Sequence, residues 1–359
     1  SGVVVFRATS KHVSFQTLFR AASCAPMRPS LLVIACLLLT VQHQAAGRQS
    51  DALSWGLGSR LVSVPDLHGD YDRTVDILVS AKLIDPGTLA WVGGNATLVQ
   101  TGDIVDRGDH GKQIYELMFR LQDEAAQFGG SVVILMGNHE LMNIQGDFRY
   151  VSTGDFADFG GHEERAAAWA PSGWLGQKVR RFPAAYSVGG VLFVHAGLSP
   201  IFLHPQGGES EADAARNIEA LNQKLLQAVE QDPGSLDPVL GRDGPMWTRF
   251  FAGVEPPCEQ VEEALHAAGA ERMVVGHTIQ QSALGTFRVR SACEGRLLLA
   301  DTGISSAYGG EESYIEHDSR GGAVAVYPRS RVRDPLPRPS LALIRRHQLY
   351  HVLESMCLR

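Results

Sequence analysis

The chain has 359 residues, 44% hydrophobic and 20% charged, the make-up of a soluble globular protein long enough to bury a large core. Its formal charge of −7 is spread over both signs, with no long basic block in the central region, which argues against nucleic acid as a partner. One large domain or two small ones would fit this length.

Residues 1–50 contain no Asp or Glu, while Arg7, Lys11, Arg20, Arg28 and Arg48 are basic. Within them Met27-Arg28 precedes the apolar run Leu31–Leu39 and then Ala45-Ala46-Gly47, the layout of a secretory signal peptide over 27–47. An acid-free organelle transit segment (plastid or mitochondrion) over 1–50 is the alternative. The apolar run is too short for a membrane span, so none is expected in the mature chain. Cys24 and Cys36 fall in this segment, leaving Cys258, Cys293 and Cys357. That odd number is open to one disulfide plus a free thiol in an oxidising compartment, or to unpaired thiols throughout.

A globular region is predicted over 59–328. It opens with a strand at Arg60–Val64, a loop at Pro65–Asp70 and a helix at Asp72–Lys82. A strand at Thr97–Thr101, a loop at Gly102–Gly111 and a helix at Lys112–Ala126 follow, the helix stopped by Gly129-Gly130. Val132–Met136 is a continuous apolar run, suited to a strand buried on both faces. The Gly-, Asp- and aromatic-rich region Gly146–Gly173 is expected to be an irregular insertion or lid. Tyr186–Val188 and Val191–Val194 flank Gly189-Gly190 as a hairpin. Helices are predicted at Glu211–Gln231, with Ile218, Leu221, Leu225 and Val229 on one face, and at Glu259–Ala268, with a loop at Asp232–Pro245 between them. Strands are predicted at Arg272–Val275, Gly285–Arg290, Arg296–Ala300 and Gly322–Tyr327. This pattern predicts a layered α/β sandwich. Residues 329–359 are expected to be a basic, solvated tail with a helix at Ser340–Met356.

Polar residues recur wherever a predicted strand ends. They are Pro65-Asp66-Leu67-His68-Gly69, Gly102-Asp103-Ile104-Val105-Asp106-Arg107-Gly108, Gly137-Asn138-His139-Glu140, His195-Ala196-Gly197 and Gly276-His277-Thr278. In open α/β sheets ligands bind at the carboxyl ends of strands. Carboxylate, imidazole and amide oxygen together suit divalent ions such as Mn, Fe or Zn. One Asp-x-His would carry little weight, because short motifs arise by chance; five in series after strands carry a good deal. His12, His43, His110, His162, His204, His266, His317, His347 and His351 fall outside the pattern and receive no role; His162 and His204 are expected at the surface.

These motifs resemble those of the metallophosphoesterases of the phosphoprotein phosphatase superfamily, which includes calcineurin. The resemblance runs from about Arg60 to Gly310. Asp66–Arg73, Val99–Asp109 and Met136–Val151 are similar to the branch called Shewanella-like protein phosphatases. It implies a calcineurin-like β-sandwich flanked by helices, of α/β (α+β layered) class, with a dimetal site at strand ends. Pro65 replaces the Gly of the superfamily motif, which implies a changed turn and not a lost ligand. The Ser-Ala-Pro-Asn-Tyr stretch of the eukaryotic enzymes is absent, which puts sensitivity to their toxin inhibitors in doubt.

By this resemblance Asp66, His68 and Asp103 hold one metal, and Asp103 bridges to a second held by Asn138, His195 and His277. Manganese is the first expectation, with iron or zinc as alternatives. Water activated between the ions attacks phosphorus in line, without a phosphoenzyme. His139, oriented by Asp106, protonates the leaving group. Arg107 grips the phosphate oxygens with its planar fork. Arg249 is a candidate for a second such arginine, against the reading of a surface arginine beside an aromatic. Tyr308 is expected to line the site, and Asp301 to support it from behind. The implied activity is a phosphoprotein phosphatase, with phosphotyrosine among the substrates of the branch. A diadenosine polyphosphate or other nucleotide hydrolase shares the metal motifs and is the first alternative. A non-catalytic phosphate-binding module is the second, and the complete ligand set argues against it.

Overall fold

Side chains that alternate along short apolar strands divide the core into two layers. The structure, a computed structural model, describes residues 60–203 and 214–339. The expected signal segment, His204 and the expected helix at Ser340–Met356 lie outside the described residues.

Leu61–Val64 (β1) is buried along its whole length. Leu61 joins one core cluster while Val62 and Val64 join the other, as the two-residue repeat of a strand requires. Val191–Val194 (β5) divides in the same way, with Val191 and Phe193 in the first cluster and Leu192 and Val194 in the second. The first cluster fills the space between two sheets. The larger second cluster takes in helical residues such as Ile77, Ile114 and Leu265 on the outer faces.

One sheet has six strands in the order β11-β10-β9-β1-β2-β3. Here β2 is Thr97–Gln100, β3 Ser131–Ile134, β9 Tyr314–His317, β10 Ala323–Tyr327 and β11 Val332–Leu336. β1, β2 and β3 are parallel, and the remaining pairings are antiparallel. The other sheet has the order β4-β5-β6-β8-β7. β4 is Ala185–Val188, β6 Arg272–Val275, β7 Arg290–Ala292 and β8 Leu297–Leu299. Its central strands β5, β6 and β8 are parallel, and β4 and β7 run antiparallel at its edges. Each sheet therefore presents three parallel strands whose carboxyl ends can carry ligands.

Helices α1 (Tyr71–Ser80), α2 (Gly111–Gln127), α3 (Asn138–Ile144), α7 (Ala214–Gln231) and α8 (Cys258–Ala267) stand where the sequence pattern places helices or motif loops. Four sequence expectations are corrected. The region 146–173 is not irregular throughout: Thr153–Phe159 (α4) and His162–Trp169 (α5) fold within it, and Gly176–Val179 (α6) follows. The helices are short and separated by Gly160-Gly161, both left-handed, which hides their apolar period. The strand predicted at Gly285–Arg290 starts only at Arg290, because Ser282 to Thr286 close a tight turn around a left-handed Gly285. β9 was not predicted; its His317 and Glu316 break the apolar signature. The fold also runs past residue 328, since β11 pairs with β10 from Val332 to Leu336.

Cys258 and Cys293 form a disulfide that ties the start of α8 to the turn after β7. Of the two arrangements left open by the sequence, the bridged one is present.

Candidate metal centre and active site

Loops from both sheets converge on one buried cluster. Asp66 and His68 follow β1, Asp103, Asp106 and Arg107 follow β2, and Asn138 and His139 open α3 after β3. From the other sheet come His195 after β5, His277 after β6 and Asp301 after β8. His68, Asp103, Asp106, Arg107 and His277 all adopt positive φ, between 44° and 72°. Each such residue stores about 1–3 kcal/mol, held only where surrounding contacts over-determine it. Those contacts are visible: Leu67 and His68 donate their N–H groups to Asp103 O, Gly276 donates to His195 O, and Glu140 accepts from Asp103, Ile104 and Gly137. A Cβ at Gly137 would strike the Asp103 carboxylate, so only glycine allows this approach.

The donors form two overlapping groups. His68, Asp103 and His139 make one, and Asp103, His195 and His277 the other, with the ligand atoms of each within 4.8 Å of one another. Asp103 Oδ2 is shared: it lies 3.4 Å from His195 Nε2, 3.6 Å from His68 Nε2 and 4.0 Å from His139 Nε2. Asp66 Oδ2 approaches from the side, 3.9 Å from His68 Nε2. Asn138 Oδ1 stands 3.0 Å from His195 Nε2. Backbone partners set which imidazole nitrogen is available. His68 Nδ1 faces Val105 O and His195 Nδ1 faces Thr101 O, which leaves Nε2 of each for an ion. His277 is held the other way, with Nε2 against Trp247 O, which leaves Nδ1 for an ion.

Charge supports the same reading. Burial, followed by the charge of Asp301, holds the Asp66 carboxyl well above its ordinary value. Burial also lifts Asp301 to about 6. Burial would lift Asp103 too, but His195, His139 and His68 outweigh it and hold the carboxyl well down. Three buried carboxylates thus share a space where burial presses His68 down to about 4 and His277 to about 3. A cationic guest relieves this arrangement, and the mixed oxygen and imidazole donors fit divalent ions.

Around the metal donors sits the acid–base and phosphate machinery. His139 Nδ1 donates to Asp106 Oδ2 over 2.6 Å. Burial lowers the His139 pKa, yet the charges of Asp103 and Asp106 leave it raised. Arg107 is exposed at the mouth, its guanidinium 3.9 Å above the Tyr150 ring and 5.7 Å from that of Tyr308. Tyr308 also meets the edge of His68 at 5.1 Å. Arg249 Nη1 donates to Thr278 Oγ1 over 3.0 Å, beside His277. The structure therefore brings together every residue singled out from the sequence.

Sequence reasoning missed three contributors. Glu140 is fully buried and ties the β2 loop to α3, also accepting from Tyr115 Oη over 2.7 Å. Tyr150 stands within the Met136–Val151 stretch, but residue type alone does not reveal that its ring stacks on Arg107. Asn143, one helical turn after His139, donates to Asp106 Oδ1 over 3.0 Å; that spacing was a readable clue.

Fold and site together define a metallophosphoesterase. The family model for calcineurin-like phosphoesterases matches residues 59–281. The chain is 36% identical over 279 residues to an uncharacterized protein of Schizosaccharomyces pombe, covering 74% of this chain and 80% of that one. It is 30% identical to Shewanella-like protein phosphatase 1 of Plasmodium berghei, over 71% of this chain and 69% of the relative. Among solved structures, the cold-active protein-tyrosine phosphatase of a psychrophilic Shewanella superposes with a TM-score of 0.61 at 25% identity, covering 77% of this chain and 80% of that one. The chain belongs to the calcineurin-like phosphoesterases, in their Shewanella-like protein phosphatase branch, and is a phosphatase.

Proposed function

We propose that the protein hydrolyses phosphotyrosyl proteins with two divalent ions, manganese first among them, and works in the lumen of the secretory pathway. The observation that carries the two-ion reading is the single Asp103 oxygen set 3.6 Å from His68 Nε2 and 3.4 Å from His195 Nε2, one ligand from each group. Ions held by Asp66, His68, Asp103, Asn138, His195 and His277 would polarise the phosphate and lower the pKa of water.

The remaining chemistry belongs to side chains of this chain. Arg107 binds two phosphate oxygens through its fork, kept flat by Tyr150 beneath it. Arg249 steadies the phosphate from the side of His277, and the Asn138 amide orients it. His139 gives its Nε2 proton to the leaving oxygen, while Asp106 holds Nδ1 and stabilises the charged ring. The aromatic walls of Tyr150 and Tyr308 favour a flat phosphoester such as phosphotyrosine, in keeping with the similarity to a protein-tyrosine phosphatase. The Cys258–Cys293 bridge supports an oxidising lumen.

The test is a side-by-side assay of phosphotyrosyl peptide, phosphoseryl peptide and diadenosine tetraphosphate with Mn-, Fe- and Zn-loaded protein. The highest kcat/KM is expected for phosphotyrosyl peptide with manganese. Faster turnover of the dinucleotide would overturn the substrate class, and no turnover with any metal would overturn the mechanism.

A further inference from the structure

Arg165 lies in α5, outside every motif of the site, and has no exposed surface. Its Nε donates to Asp155 Oδ2 over 2.8 Å and its Nη1 to Asn143 Oδ1 over 2.7 Å. Asn143 then donates to Asp106 Oδ1 over 3.0 Å and to the His139 carbonyl over 2.8 Å. Asp106 completes the line by accepting from His139 Nδ1. The Asn143 amide has only one workable orientation, because its oxygen must face the guanidinium and its nitrogen the carboxylate.

Burying a guanidinium costs several kcal/mol unless its donors and charge are met. Here Phe148, Phe156, Phe159 and Trp169 surround the charge, with ring centroids 5.2–5.5 Å away. Asp155 balances it, but also accepts from Gly111 N over 3.0 Å. Nη2 makes no hydrogen bond and points at Asp106 Oδ1 from 3.8 Å. An arginine serving only to tie α4 to α5 would need Asp155 alone. This one faces the carboxylate that orients the proton donor.

We propose that Arg165 is a positioning residue for proton donation: through Asn143 it fixes Asp106, and with it the ring of His139. The segment 146–173 then acts as a buttress for the acid. The proposal rests on the reading of His139 as the proton donor.

The experiment compares wild type, Arg165→Met, Arg165→Lys and His139→Asn in two readouts. In zinc-loaded protein, the downfield Nδ1 proton resonance of His139, assigned by its loss in His139→Asn, should shift or broaden in Arg165→Met and recover in part in Arg165→Lys. In steady-state assays, Arg165→Met should lower kcat roughly 10- to 100-fold on phenyl phosphate, a poor leaving group, with less loss on p-nitrophenyl phosphate and KM unchanged. An unmoved His139 resonance, or equal losses on both substrates, overturns the proposal. Equal losses in His139→Asn itself would overturn the donor reading instead. If Arg165→Met does not fold, Arg165→Lys carries the same test with a smaller expected shift, since it keeps the charge beside Asp155 and loses the fork that reaches Asn143.

A separate observation points to a modification site. Asn95-Ala96-Thr97 is an Asn-x-Thr acceptor, and no other asparagine of the sequence has Ser or Thr two residues on. Asn95 is exposed in the turn entering β2, next to Gly94, around which no atom lies within 4 Å of a built Cβ. This is the amino end of β2, and Asp103 follows its carboxyl end. We propose that Asn95 carries an N-linked oligosaccharide, which rests on the secretory placement. Its Nδ2 forms the bond to the anomeric carbon of a lipid-diphosphate-linked sugar, whose carbon–oxygen bond breaks to release the lipid diphosphate, and the amide proton leaves to base. Full chain translated with rough microsomes should become protease-protected and gain one endoglycosidase-sensitive glycan, absent in Asn95→Gln. Protected but unmodified protein overturns the proposal alone, and unprotected protein overturns the secretory placement with it.

Discussion

The backbone N–H of His277 donates to both carboxylate oxygens of Asp66, each over 3.0 Å, and so joins the loop after β6 in one sheet to the loop after β1 in the other. Gly276 makes this contact possible, for a Cβ there would run into Asp66 Oδ1. Gly276→Ala is expected to destabilise the protein by about 1–3 kcal/mol, the cost of overpacking a closed site. Metal content should fall with it. Urea unfolding and elemental analysis check this; unchanged values in both would show that the loops yield.

Metal uptake should release protons. Burial alone would press His195 down, but Asp103 at 3.4 Å lifts it to about 10. A coordinating imidazole must be neutral, so an ion entering at pH 7 displaces roughly one proton from this pair. Affinity is expected to fall as pH drops, because the proton and the ion compete. Calorimetry in buffers of different ionisation heat measures the release, and a buffer-independent heat would contradict it.

Tyr150 is expected to matter for substrate binding, as the support of Arg107 and a wall of the site, and not for metal binding. Tyr150→Ala removes the ring 3.9 Å below the guanidinium and should raise KM for aryl phosphates several-fold, consistent with about 1 kcal/mol of cation–π energy. Metal content should not change. A fall in kcat with KM constant would instead point to the ring of His139, 5.2 Å away.

His317 makes stability depend on acid. It is packed between the sheets against Phe193, with Ser63 Oγ at 2.9 Å and Nδ1 without a partner. Burial, then the charge of Arg272, lowers it to about 3. The unfolded chain binds this proton near pH 6.5, before the folded one does. The folded state therefore keeps its full advantage above about pH 6.5 and loses about 1.4 kcal/mol per unit as pH falls towards 3. His317→Gln should flatten the slope of unfolding free energy against pH over that window, and an unchanged slope would exclude His317 as its source.

The disulfide closes a separation of 35 residues, which by chain entropy corresponds to about 3–4 kcal/mol. Cys258→Ser should lower the unfolding free energy measured in urea by a comparable amount while sparing turnover. Loss of activity in the folded variant would mean that the bridge also tensions the segment carrying Arg249.

The ligands were legible because each loop follows an apolar strand and repeats one kind of chemistry, so Asp66, Asp103 and His277 announce themselves together. β1 and β6 were legible because both their faces are buried. Glu140 stood in the quoted Gly-Asn-His-Glu motif, but its work is backbone bracing, which residue type does not reveal. β9 was hidden because it buries a histidine against Ser63, and a buried polar pair looks like surface. Arg165 was hidden for the same reason: a caged arginine reads as an exposed one until the rings of Phe148, Phe156 and Phe159 close on it.

The donors are shared unequally between the sheets. Asp66, His68 and Asp103 all hang from β1 and β2, whereas the group holding His195 and His277 needs Asp103 from across the seam. One ion position is thus internal to a single sheet, and the other acts as a gauge of the gap between two. Gentle heating or sub-denaturing urea should empty the straddling position first, leaving a singly loaded protein that keeps its secondary structure and has stopped turning over.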